Sequence, residues 1–380
     1  MNYRTRLLHD GRDRDPYTGA SSIPIYQAST FSQPDPEHPG LYDYARSGNP
    51  TREALEETIA ALEGGAVGLA FASGMAAISS VLMVFQPGDH IVATNDVYGG
   101  TYRALTTLFR RWNLEHTFVD MTDLEKVEAA IRPNTRALFA ETPANPLLQI
   151  TDLKAVAELA ASRGLLSIVD NTFMSPYLQR PIEYGFDIVV HSATKFIGGH
   201  SDVLAGLVVI KDADMGRRIR AIQNTFGAVL GPQDCWLTLR GLRTLGVRMD
   251  AQQKSAGEIA LWLKQCAHIK SVFYPGLPDH PGRAIHERQA DGYGAVISFE
   301  VDGGGPATLA LLKKVKLPLV AVSLGGVETI LSYPARMSHA AMPPSERNAR
   351  GITDGLLRLS VGLEHPDDLI ADFDQALART

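Results

Sequence analysis

Between residues 67 and 223, short apolar runs alternate with segments of helical period, and this alternation constrains the chain more than any other feature. The runs at 67–72, 91–94, 117–119, 137–140, 165–169, 187–190 and 204–210 read as strands. The intervening segments 75–85, 99–111, 122–131, 151–163 and 211–223 read as helices. Strands this apolar need cover on both faces. The expected architecture is therefore α/β, with a mainly parallel seven-stranded sheet between helical layers. Ligands of such sheets bind at the carboxyl ends of the strands.

Upstream, residues 1–50 carry Pro24, Pro34, Pro36, Pro39 and Pro50 without a long periodic element, so they read as an extended arm with turns. Thr51 is the expected N-cap of a helix in which Leu55, Ile59 and Leu62 recur before Gly64 and Gly65 stop it. After about residue 250 the texture changes to an amphipathic helix over 251–266, then mixed segments at 294–301 and 307–315. The expected division is an arm over 1–50, an α/β domain over 51–249 and a smaller C-terminal α+β domain over 250–380. No repeat and no Gly/Ser linker separates them, so they are expected to pack as one body.

Charge and cysteine usage narrow the partners. With 36 Lys+Arg against 42 Asp+Glu the net charge is −6, which argues against a nucleic-acid partner. Cys235 and Cys266 stand alone, so neither a disulfide framework nor a structural zinc site has support. His9, His38, His116, His191, His200 and His339 lack metal-ligand spacing, and no metal is expected. No apolar run approaches the roughly 18–20 residues that span a bilayer. The polar first 15 residues do not read as a signal peptide. The expectation is a cytoplasmic protein with no membrane partner.

Three segments carry chemistry. Lys195, in the run from His191 to His200, follows an apolar strand among small and apolar neighbours; desolvation there favours a neutral, nucleophilic amine. The alternative is a surface lysine opening a Gly-rich turn. Asp170 ends another apolar strand, where its carboxylate can hold a protonated ring nitrogen or simply cap a turn. Ser73-Gly74-Met75 joins a strand to a helix, and amide groups at such a helix start favour phosphate. Phosphate cradle, carboxylate and amine together specify pyridoxal 5'-phosphate.

These segments, with Tyr44 to Arg52, Asp96 to Thr101 and Glu141 to Pro146, resemble in order the transsulfuration family of pyridoxal-phosphate enzymes. The resemblance runs from about residue 18 to 364. It implies the fold-type I architecture and a small amino acid as substrate. Position by position, it implies Lys195 as the Schiff-base lysine, Asp170 as partner of the pyridine nitrogen, and Gly74, Met75, Ser192 and Thr194 as the phosphate cradle. Tyr44 and Arg46 match a pair that reaches the same phosphate from the adjacent subunit, implying a homotetramer built as a dimer of dimers with shared sites. Tyr98 matches the aromatic residue stacked on the cofactor ring, placed to assist proton transfer.

Arg358, in an apolar strand, matches the arginine for the substrate α-carboxylate, and a buried guanidinium independently demands an anionic partner. Asn145 and Ser323 match positions beside it. At the pocket rim, Val322 stands where many γ-synthases and γ-lyases of the family carry Glu, and Gly100 where methionine γ-lyases carry Cys. The stretch 321–342 looks most like that of bacterial cystathionine β-lyases. The implied activity is β-elimination from cystathionine. γ-Elimination and γ-replacement with an activated homoserine are the alternatives, and retention of Lys195, Asp170 and Arg358 together argues against a silent binding protein.

Overall fold

The computed structural model describes residues 1–378 except 13 and 341, so Ala341 of the 321–342 stretch lies outside the described residues. Seven strands form the first sheet: β1 (Val67–Phe71), β2 (His90–Thr94), β3 (Glu115–Val119), β4 (Thr135–Glu141), β5 (Leu166–Asp170), β6 (Ile188–Ser192) and β7 (Gly206–Ile210). Their order is β1-β7-β6-β5-β4-β2-β3. All neighbours pair in parallel except β7, which is antiparallel to both β1 and β6. A parallel return needs a crossover, commonly a helix. Residues 193–205, which link β6 to β7, contain none, and the chain folds straight back.

Double-sided burial explains the composition of these strands. In β4, Leu138 and Ala140 enter one apolar cluster with Leu55, Ile59 and Val169. Their neighbours Ala137 and Phe139 enter another with Leu69, Ile91 and Val190. The period of two thus feeds both helical layers at once.

Local chemistry corrects several boundaries. The helix Pro50–Glu63 is capped by Asn49, whose side chain accepts from the N–H groups of Thr51 and Arg52. Thr51 is therefore not the cap, and Pro50 at the first helical position marks the true start. The Thr51 hydroxyl instead donates to the Pro24 carbonyl and accepts from Tyr26 N–H, tying down the arm. Within that arm Tyr3–His9 forms a short helix. The segment expected as one helix over 99–111 divides into an α-turn Gly99–Arg103, a π-turn Ala104–Leu108 and a 3-10 turn Phe109–Trp112. Thr106 and Thr107 hydroxyls bond back to the carbonyls of Tyr102 and Arg103, competing with the regular ladder.

The second sheet has the order β10-β11-β12-β9-β8, from β8 (Ile269–Phe273), β9 (Val296–Val301), β10 (Leu319–Val320), β11 (Ile330–Ser332) and β12 (Leu356–Ser360). The helix Leu245–Leu263 begins ahead of the amphipathic segment that announces it. Ile259 and Leu263 from it join Phe299, Leu357 and Phe373 in a third apolar cluster.

Candidate active site

A cavity of about 500 Å³ opens at the carboxyl ends of the first sheet and is closed on its far side by residues of the second. Ser73, Gly74, Tyr98, Asp170, Lys195 and Arg358 line it. The placement follows from topology, since loops leaving neighbouring strand ends converge there.

The helix Gly74–Leu82 points its first turn at the cavity. Ser73 caps it by accepting from Ala76 N–H. The N–H groups of Gly74 and Met75 are the orphan donors that every helix start leaves. A Cβ on Gly74 would stand 2.8 Å from the Ser192 Cβ, so only glycine lets helix and strand end approach this closely. Thr194 stands nearby, its hydroxyl donating to the Ala205 carbonyl and accepting from Ala205 N–H.

Lys195 sits in the β6–β7 link and its ammonium donates to Ser323 Oγ at 2.7 Å. Burial, reinforced by the Arg358 charge, lowers its pKa to about 8, and Asp170 pulls the other way. Asp170, the last residue of β5, is raised by burial; Thr172 works against this by donating from both its N–H (3.0 Å) and its hydroxyl (2.5 Å) to Oδ1. Asp170 therefore does hold a turn, but through one oxygen, and Oδ2 has no hydrogen bond among the described residues.

Arg358 in β12 is 4% exposed and has no carboxylate at ion-pair distance among the described residues. Nη1 donates to Asn145 Oδ1 at 2.8 Å, Nη2 to the Ser323 carbonyl at 2.7 Å and to Ser332 Oγ at 3.2 Å, while Nε is buried without a partner. Burial lowers its pKa to about 10. A buried guanidinium with no counter-charge within its own chain has the chemistry to receive a small anion. Ser323, which meets both Arg358 and Lys195, adopts φ +86°, a conformation that a serine keeps only when its surroundings impose it.

Tyr98 precedes the Gly99–Arg103 turn and is 38% exposed toward the cavity rather than packed in the core. Gly100 lies beneath it: a Cβ there would approach the Tyr98 ring to 2.4 Å and Met75 Sδ to 2.7 Å. Val322 stands 62% exposed at the rim. The structure thus brings together Gly74, Met75, Tyr98, Asn145, Asp170, Ser192, Thr194, Lys195, Ser323 and Arg358. It does not bring Tyr44 and Arg46 to this cavity. Both lie on the arm, with the Arg46 guanidinium over the Tyr44 ring and donating to the Asn224 carbonyl.

Glu141, which opens the motif running to Pro146 but has no role of its own in the sequence reading, ends β4, lines the cavity and is pushed up in pKa by burial and by Asp170 beside it. Its position after an apolar strand, like that of Asp170, was the available signal. Among the described residues no group of His, Cys, Asp and Glu is arranged to hold a metal ion, and no helix is long and apolar enough to cross a membrane.

Orphan helix amides, a carboxylate oxygen without a partner and an amine of lowered pKa form a donor set that fits a phosphorylated pyridine aldehyde. Fold and site together define a pyridoxal-phosphate-dependent enzyme of fold type I. The family model for Cys/Met metabolism PLP-dependent enzymes matches residues 4–378. The chain is 57% identical to the cystathionine beta-lyase MetC of Bacillus subtilis, over 98% of this chain and 95% of that one. It is 50% identical to a cystathionine gamma-lyase of the same organism, over 99% of each. The cystathionine gamma-lyase of Lactobacillus plantarum, solved with L-serine, superposes with a TM-score of 0.97 at 47% identity, covering 100% of this chain and 99% of that one. The protein belongs to the Cys/Met metabolism family of pyridoxal-phosphate-dependent enzymes.

Proposed function

We propose that this enzyme is a carbon–sulfur lyase that cleaves cystathionine by β-elimination, releasing homocysteine, pyruvate and ammonia. The observation that carries the reading is the pairing, across one cavity, of an amine of lowered pKa with a buried guanidinium lacking a counter-charge. An α-amino acid bridges that pair with its Cα–H beside the amine and its carboxylate on Arg358. The 57% identity to a cystathionine beta-lyase favours the β over the γ route.

Bound in the cavity, pyridoxal phosphate supplies the electron sink that makes the Cα proton acidic. The amides of Gly74 and Met75 with the Ser192 and Thr194 hydroxyls hold its phosphate, and Asp170 keeps the ring nitrogen protonated. Tyr98 covers the ring face. Lys195 would hold the aldehyde through its amine and, once a substrate amine occupies that place, its freed amine would stand as the base for the Cα proton. Arg358 and Asn145 orient the substrate through its α-carboxylate, with Ser323 steering the amine. The electron pair left by the Cα proton would form the Cα=Cβ bond as the Cβ–S bond breaks with its own pair on sulfur, and the departing thiolate would take up a proton. The three-carbon remainder hydrolyses to pyruvate and ammonia.

The division into arm, α/β domain and smaller C-terminal domain belongs to the same reading. Tyr44 and Arg46 are assigned to the phosphate of a partner subunit, supported by their exposure and by neither lining the cavity of their own chain; the assembly is a homotetramer of two such dimers. Two free cysteines suit the reducing cytoplasm.

The similarity to the gamma-lyases favours γ-elimination as the second reading. Incubating the cofactor-loaded protein with L-cystathionine and identifying the keto acid by mass separates the two. Pyruvate with homocysteine is expected. 2-Oxobutyrate with cysteine would move the enzyme to the γ route, and neither product would direct the search to homoserine esters.

A further inference from the structure

We propose that Glu141 is a positioning residue whose single carboxylate fixes the spacing between Tyr98 and Asn145, and so between the cofactor face and the substrate-carboxylate end of the pocket; this rests on the reading above.

Glu141 is 5% exposed, and among the described residues no cation stands within ion-pair distance of it. Both of its oxygens are used on backbone: Oε2 accepts from Tyr98 N–H at 2.8 Å and Oε1 from Asn145 N–H at 3.0 Å. The two loops it joins leave the same ends of neighbouring parallel strands, β2 and β4. An uncompensated buried carboxylate is a poor choice for stability alone. What it does that a neutral side chain cannot is accept from two amides at once through charge-assisted bonds.

The consequence reaches across the site. Asn145 passes the constraint to Arg358, Arg358 to the Ser323 carbonyl, and Ser323 to Lys195. Glu141 is the member of this chain of bonds that ties in Tyr98. Removing one of its acceptors frees the Tyr98 turn to tilt, and the ring over the cofactor tilts with it.

Glu141→Gln keeps the shape but leaves one acceptor oxygen, with its amide nitrogen facing the second N–H. Titrating cofactor-free protein with pyridoxal phosphate is expected to show about tenfold weaker binding in this variant. The visible circular dichroism of the loaded protein should change with the ring stacking, and KM for L-cystathionine should rise more than kcat falls. Glu141→Asp, shorter by one methylene, should lie between. Decisive is the double-mutant cycle with Tyr98→Ala: once the ring is gone, the effect of Glu141→Gln on cofactor affinity should vanish. Additive effects, or parental affinity and dichroism in Glu141→Gln, would overturn the proposal. Should Glu141→Gln fail to fold, the Glu141→Asp cycle is read by the same criterion. Affinity and dichroism do not depend on which bond is cleaved. A parent that holds the cofactor but leaves cystathionine intact therefore removes the functional reading while Glu141 is still judged.

Discussion

A lysine held near pH 8 weakens the protein that contains it. The folded pKa of Lys195, about 8, lies below the ordinary value near 10.5 that the unfolded chain restores. Between those values the unfolded chain binds more protons, so stability of the cofactor-free protein rises with pH across the window; the full cost is present below pH 8. Lys195→Met, which fills the same space without charge, should stabilise the cofactor-free protein at pH 7 by up to about 3 kcal/mol. Urea unfolding would show the gap narrowing as pH approaches 10. An equal gap at both pH values would assign the effect to packing instead. Gly100 teaches a related lesson at the same scale. Its identity reads in the sequence as a departure from methionine γ-lyases, whereas in the structure it is the space that the Tyr98 ring and Met75 need.

At the scale of elements, the start of the helix Gly74–Leu82 is fixed by Ser73, whose side chain accepts from Ala76 N–H. Ser73→Ala removes the bond to Ala76 N–H and should cost the cofactor-free protein about 1 kcal/mol. If the same turn holds the phosphate, as proposed, the loss should be larger with cofactor bound; thermal melts of both forms measure the difference. A loss equal in both forms would separate the cap from the cradle.

What was legible in the sequence follows the same physics. The strands of the first sheet stood out because burial on both faces leaves long apolar runs, but their directions did not, since β7 differs from its neighbours only in the helix missing before it. Asn49 was hidden by Thr51, a better-known capping type two residues on, although Pro50 between them pointed to the earlier start. β10 and β11 were too short to show a period. Lys195, Asp170 and Arg358 were legible because charge at the edge of, or inside, an apolar strand is rare. Glu141 carried that same signal without a ready chemical role, and its two amide partners became visible only in three dimensions.

The whole molecule presents Tyr44 and Arg46 at its surface, away from its own cavity, and their assignment to a neighbour's phosphate can be tested by mixing. Arg46→Ala and Lys195→Ala variants, each expected to be nearly inactive alone, should regain about one quarter of parental activity when co-expressed, because half of randomly paired dimers then hold one intact site of two. No recovery would confine the site to a single chain.

Most anchors assigned to the cofactor stand at the carboxyl ends of the seven-stranded sheet, while the guanidinium assigned to the substrate stands on β12 of the five-stranded one. The exposed Val322 side chain at the rim can therefore vary while Ser323 beside it keeps its bonds to Lys195 and Arg358. A single inherited cofactor seat can serve lyases and synthases alike, and new substrates can be acquired by editing one wall of a room whose other wall stays as it was.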